Sequence, residues 1–249
     1  MSLTRRQFAQ NTLSALVTYS LLDMLIARDA LAGDARLLAA KWIKDLNELS
    51  QDVTGKKVSQ IEWQKKVDSL FDSVDLTDTL TFLDFEKLTA NINYRDQGAL
   101  SLKAKLPEVD GLPTNLVFGH QVFALTKDRS VVPHGHNNMA TAFLILKGSF
   151  RGRHYDRLED DGQFMIIRPT LDRTFHAGEH STVSDHKDNV HWFTATSEQA
   201  FIFNIHIMSV DPDIENTGRV YIDPNGDKLS DNRIRAKHVS FGEVHKLYG

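Results

Sequence analysis

The 249-residue sequence predicts a mainly β fold, an antiparallel jelly-roll barrel with a helical extension on its N-terminal side. Three observations carry that reading. Short runs rich in Val, Ile and Phe recur from Leu116 onward, separated by charged or glycine-bearing turns. Residues 34–72 instead repeat their apolar side chains with a helical period. Composition is that of a globular chain, 41% hydrophobic and 25% charged, which is enough to bury one good core.

Taken in chain order, the first element is a leader. Thr4-Arg5-Arg6-Gln7-Phe8 matches the twin-arginine pattern, a small hydroxylated residue, two arginines, any residue and an aromatic. A mildly apolar stretch runs from Ala15 to Ala27, and Ala30-Leu31-Ala32 offers a small-x-small cleavage site. Asp23 interrupts the stretch and Arg28 follows it, so it falls short of the roughly 20 apolar residues of a membrane span. The expected organisation is a signal peptide over 1–32, a helical region over 33–112 and a barrel over 113–249, with export of the folded protein to the periplasm. Such export lets a metal be loaded in the cytoplasm first.

Two helices are expected next. Arg36 to Leu49 aligns Leu37, Leu38, Ile43, Leu46 and Leu49, and Ser59 to Phe71 aligns Ile61, Trp63, Val67 and Leu70. Thr54-Gly55-Lys56-Lys57 breaks them, and a short third helix is expected over Asp84 to Ala90. This part is expected to pack on the barrel, to form a homodimer or to shape substrate access. Strands follow at Leu116–Leu125, Ala142–Phe150, Phe164–Arg168, Val190–Ala195, Phe201–Met208 and Arg219–Ile222. Asp223-Pro224-Asn225-Gly226-Asp227 reads as a turn. The tail from Asn232 is polar, with Val239, Phe241, Val244 and Leu247 as its apolar points.

The chemistry concentrates at Val131-Val132-Pro133-His134-Gly135-His136. Residues two apart on a strand share a face, so His134 and His136 can reach one metal ion, and a third histidine from a neighbouring strand would complete a facial site. His176, His180, His186 and His191 are the candidates. Only His191 has strand context, with Phe193 and Ala195 on its face and Val190 and Trp192 on the other, and a strand fixes a ligand better than a loop. His176 and His180 have helical ligand spacing, but the Ala-Gly between them places them in a loop. His206 faces away from Phe203 and Ile205 and is expected beside the site or in the core, not as a ligand.

This motif resembles the first motif of the cupins, in which two histidines are followed by four residues, an acidic residue, six residues and a glycine. Here Thr141 stands at the acidic position and Gly148 at the closing glycine, while Asp128 stands where the family has a leading glycine. The proline before the histidine pair, Met139, Tyr155-Asp156 and the Ser184 to His191 segment resemble the thiol dioxygenase branch, in particular cysteamine dioxygenases and plant cysteine oxidases. The resemblance spans about residues 115–210. It implies a cupin-type double-stranded β-helix and an iron(II) centre on His134, His136 and His191 without a carboxylate. It also implies a small-molecule or peptide thiol as substrate and O2 as co-substrate, both oxygens passing to sulfur to give a sulfinic acid. Tyr155 is the candidate catalytic hydroxyl. Arg151, Arg153, Arg168 and Arg173 offer partners for a substrate carboxylate or a solvated strand edge.

Other readings stay open: another metal-dependent cupin enzyme, or a cupin that binds metal or a small ligand without catalysis. Imidazole also suits zinc, copper, nickel and manganese, so iron follows from the resemblance and not from the donors. Composition excludes more than it assigns. With no cysteine, the chain has no disulfide, thiolate zinc site or cysteine nucleophile. Its net charge is −4, and −5 without residues 1–32, which hold three Arg and two Asp. Neither value suggests nucleic acid or an anionic membrane as a partner.

Overall fold

The computed structural model describes residue 33 and residues 37–249, so the expected signal peptide lies outside the described residues. Helix α1 occupies residues 37–54, and α2 (Gln60–Asp72), α3 (Leu76–Phe82) and α4 (Phe85–Thr89) follow it. Ser59 caps α2 in a reciprocal capping box with Glu62, which fixes its start one residue after the expected one. The buried stripe of α1 is Ala39, Trp42, Ile43, Leu46, Asn47 and Ser50, whereas Leu37 and Leu38 are more than half exposed. The expectation for these two leucines fails because the helix turns its Ala/Trp side to the sheet, and they fall outside the i, i+3, i+4, i+7 series it defines. None of the helices described is long and apolar enough to cross a membrane.

Eleven strands build the rest of the described residues: β1 (Leu100–Leu102), β2 (Gly119–Thr126), β3 (Ser130–Asn137), β4 (Met139–Lys147), β5 (Ser149–Asp160), β6 (Phe164–His176), β7 (His180–Val183), β8 (Val190–Ala195), β9 (Gln199–Met208), β10 (Gly218–Lys228) and β11 (Ile234–His238). A C-terminal helix, α5 (Phe241–Tyr248), ends the chain. One sheet has the order β1-β2-β9-β4-β7, and the other closes on itself as β10-β11-β6-β5-β8-β3. All pairings are antiparallel, and the sequence zigzags between the two sheets. This is the mainly β, cupin-type double-stranded β-helix that the sequence predicts.

Several boundaries differ from expectation. The run Ala142–Phe150 is two strands, because Gly148 (φ 77°) turns the chain between β4 and β5 and leaves no room for a Cβ beside the Gln199 carbonyl. His176 and His180 are not loop residues; they close β6 and open β7 around a short turn that joins the two strands. The expected turn at Asp223–Asp227 is a bulge inside β10: Asp223 pairs with Lys237 and Asp227 with Arg235, so β10 carries two extra residues.

Alternation along the strands creates three apolar compartments. The outer face of the five-stranded sheet, with Val122, Ala142, Leu144, Phe203 and Ile205, is covered by Trp42, Ile43, Leu46, Trp63, Val67 and Phe71 of the helices. Between the sheets lie Leu125, Phe143, Ile145, Phe150, Phe175, Phe193 and Ile202. Inside the closed ring lie Tyr155, Met165, Ile167, Val190, Ile222 and Ala236. The site described next belongs to the second compartment.

Candidate metal centre

His134 and His136 stand on β3 and His191 on β8, with His134 directly opposite His191 in the ladder. Cross-strand partners share a face, so all three imidazoles enter the space between the sheets. One ligand atom from each lies within 4.8 Å of the other two, and all three residues are buried. Their ring centroids are 5.1 Å (His134–His136), 4.2 Å (His134–His191) and 4.9 Å (His136–His191) apart. Sequence reasoning selects these three, and the structure brings them together.

Local contacts aim the rings. His134 Nδ1 donates to the Val132 carbonyl at 2.8 Å, which leaves the Nε2 lone pair free. His136 is held through its backbone: its N–H donates to Asn189 Oδ1 at 3.2 Å, and Asn189 Nδ2 donates back to its carbonyl at 2.9 Å. A Cβ on Gly135 would come within 2.7 Å of that same Asn189 Oδ1. Glycine between the two histidines is therefore required for the amide to reach β3.

Burial drives all three imidazoles toward the neutral form. His134 falls to about 3, by desolvation first and then by the Arg219 guanidinium; His136 and His191 fall well below the usual histidine range for the same leading reason. Neutral imidazole is the form that ligates metal. The ring nitrogens of His136 and His191 have no hydrogen-bond partner among the described residues, the buried Nδ1 atoms included. Thr141 on β4 faces them with its hydroxyl also unpartnered, and no carboxylate joins the group. Three convergent neutral donors with unengaged lone pairs fit a divalent transition metal.

The other histidines stay away. His186 is an exposed loop residue. His176 is exposed, and His180 bonds Asp72 on α2 at 2.9 Å. His206 lies beside Asn204 at 3.2 Å and fills the space over Gly119. His154 pairs with His191 from the β5 side and is buried, yet its ring packs on Phe193 and Phe175 and it is not part of the group.

Tyr155 is a correction. It follows His154 on β5, so its side chain takes the opposite face and enters the closed ring with Met165, Ile167 and Val190. The tyrosine beside the histidines is Tyr221 on β10, opposite His134 in register with its ring 5.8 Å away. Arg151, Arg153, Arg168 and Arg173 prove to be partners of Asp172, Asp156 and Glu179. The arginines that line the histidine cavity are Arg219 and Arg95. Sequence reasoning missed them, because Arg219 is identified only by the pairing of β10 with β3.

The cavity over the histidines holds about 220 Å³. Phe123, Gln121 and Asn204 line it from the five-stranded sheet, and Phe241 and His245 of α5 from the rim. The sequence tail is thus a wall of the site. A capping box at Ser240 starts α5, and the Tyr248 hydroxyl donates to Asp223 to fasten its end.

No protein-family model matches the sequence, and no curated protein matches it. Among solved structures, one that is similar is a double-stranded β-helix protein from Klebsiella pneumoniae (10% identity, TM-score 0.33, covering 53% of this chain and 85% of that one). Recombinant oxalate oxidase in complex with glycolate is another (15%, 0.33, 50% and 54%). A third is the 11S globulin from Wrightia tinctoria (12%, 0.31), of which this chain spans only 22% while 42% of this chain is covered. Identities and TM-scores this low say nothing of reaction, ligand or metal.

Proposed function

We propose that His134, His136 and His191 hold iron(II), and that the protein is an exported metal-dependent cupin oxidoreductase, a dioxygenase that converts a thiol to a sulfinic acid. The observation that carries this reading is a buried, all-histidine donor set with a threonine where an acidic ligand would stand. Three neutral ligands leave the cation's charge uncompensated, which favours an anionic ligand such as a thiolate. Bound iron would supply the oxidation chemistry that joins a thiolate to O2. The reaction balances without a further reductant: thiolate plus O2 gives sulfinate, with sulfur oxidised and O2 reduced by four electrons.

The chain's own part is positioning and exclusion of water. Phe143 packs on the His191 ring at 4.9 Å and Phe193 behind it, closing the inner end of the cavity. The Tyr221 hydroxyl, Gln121 and Asn204 supply the polar groups that orient a substrate. Export to the periplasm rests on Thr4–Phe8 and Ala30-Leu31-Ala32 and forms part of the same proposal.

The test is metal content after anaerobic purification, for wild type and His136→Ala, followed by O2 uptake with thiols that differ in their charged groups: cysteine, cysteamine, a peptide bearing N-terminal cysteine, and a mercapto acid without an amine. Stoichiometric iron that is lost in the variant, with uptake yielding sulfinate, is the expected result. Bound metal without uptake would turn the reading to a different cupin reaction or to a binding protein. No metal in either sample, even with iron(II) added, would refute the centre.

A further inference from the structure

Two features of the cavity have no part in holding a metal. Arg219 stands opposite His136 in the β10–β3 ladder, on the same face as Tyr221, which stands opposite His134. A guanidinium and a phenol therefore run along β10 in step with the two histidines of β3. Arg219 makes no ion pair or side-chain hydrogen bond among the described residues, in contrast to Arg151, Arg157, Arg168 and Arg173, each of which has a carboxylate. Arg95 lies at the rim of the same cavity, likewise without an ion pair among the described residues. The second feature is a bias of sign. Ser101, Gln121, Ser130, Thr141, Asn204 and Tyr221 contribute neutral polar groups, and no described residue lining the cavity is Asp or Glu.

Resting on the metal reading, we infer that the substrate is a small carboxylate without an ammonium group, its acid end held by Arg219 with Arg95 and its other end at the three histidines. A guanidinium fork matches a carboxylate in two parallel hydrogen bonds. An amine substrate would bring its charge beside two arginines and find no counter-charge. The space supports the same choice. About 220 Å³ suits a molecule of a few heavy atoms, below the roughly 300–1,000 Å³ of pockets for drug-sized ligands. Arg219 and Arg95 are both exposed residues, so their pull is screened by salt and affinity for the acid falls as salt is added.

The experiment uses the full chain loaded with cobalt(II), and reads binding by calorimetry and the visible spectrum. The probes are 3-mercaptopropionate, cysteamine, propionate and inorganic phosphate, against wild type, Arg219→Gln and Arg219→Lys. The expected result is that 3-mercaptopropionate binds about tenfold or more tightly than cysteamine. In Arg219→Gln that affinity falls by about tenfold to a hundredfold, the lysine variant recovers part of it, and cysteamine does not weaken. Cobalt affinity holds or rises, since a positive charge has left the histidines' surroundings; a merely structural Arg219 would lower metal and acid binding together. Equal affinity for the acid and the amine, an unchanged Arg219→Gln, or a preference for phosphate would overturn the inference. Propionate binding as tightly as the thiol acid would support the carboxylate subsite and sink the thiol reading instead. Arg219-dependent acid binding in a protein that takes no cobalt would support it and sink the metal reading.

Discussion

At the scale of single residues, the centre depends on groups that do not touch a metal. Asn189 holds both backbone groups of His136, where β8 no longer pairs with β3. Asn189→Ala removes three hydrogen bonds, two to the His136 backbone and one to the Ser184 carbonyl, and leaves a small void beside Gly135. Partners of this kind typically set metal affinity by about 10–100-fold. Cobalt titration of Asn189→Ala should therefore show a loss in that range with the circular dichroism unchanged, and an unaltered affinity would mean that β3 holds His136 unaided. The tyrosines offer a sharper contrast. Tyr155→Phe changes a side chain inside the closed ring, away from the histidines, whereas Tyr221 lines their cavity. Where turnover is measured, Tyr155→Phe should match wild type and Tyr221→Phe should not. The sequence points to Tyr155 because a Tyr-Asp pair after the motif is visible there, while the register of β10 on β3, which brings Tyr221 opposite His134, is not.

At the scale of elements, the helical layer is fastened to the sheet by polar contacts as well as by its apolar stripe. His180 at the start of β7 lies between Asp68 and Asp72 of α2, its Nδ1 at 3.5 Å from one and its Nε2 at 2.9 Å from the other. Burial alone would lower its pKa, but the two carboxylates outweigh burial and raise it. A folded value above the unfolded one means the contact stabilises fully below the unfolded value, near 6.5, and fades as pH rises through the folded value. Both aspartates are partly or largely exposed, so the contribution is about 1 kcal/mol or less. Denaturant unfolding of wild type and His180→Gln should differ more at pH 5.5 than at pH 8.5, and the difference should vanish in an Asp68→Asn, Asp72→Asn background. A gap that widens toward alkaline pH would show that His180 acts by packing on Phe71, whose ring lies 5.3 Å away. Sequence pattern located α2 but not this contact, since nothing in the spacing of His180 points to a helix more than a hundred residues earlier.

At the scale of the whole molecule, the jelly roll was legible because strand alternation and turn residues are local signals. So was the histidine triad, in which the i, i+2 pair on β3 and the face of β8 both follow from period-two geometry. What escaped was set by pairing between distant strands: the order of the strands around the ring, the tail as a cavity wall, and Arg219. The same long-range assembly makes the centre a stability element. His136 and His191 come together only when β3 and β8 pair, and their Nδ1 atoms are buried without hydrogen-bond partners among the described residues. Each unsatisfied buried group costs about 1–3 kcal/mol. The depressed histidines add an acid liability, because groups neutral when folded take up protons on unfolding. Their contribution is complete above the unfolded value of about 6.5 and is lost as pH falls below it, toward the folded values. A metal that binds only the folded chain counters both effects. At a hundredfold excess over its dissociation constant it adds about 2.7 kcal/mol, or roughly 5–10 °C in Tm for a chain of this size. Thermal unfolding with and without cobalt(II) should show that rise at pH 7.5 and retain it at pH 6, where the folded imidazoles are still neutral and do not favour protons over metal. His136→Ala should lose the rise at both values. A rise that persists in the variant would place the bound metal elsewhere in the molecule, and one that collapses by pH 6 would mean that the histidines are far more open to water than their burial implies.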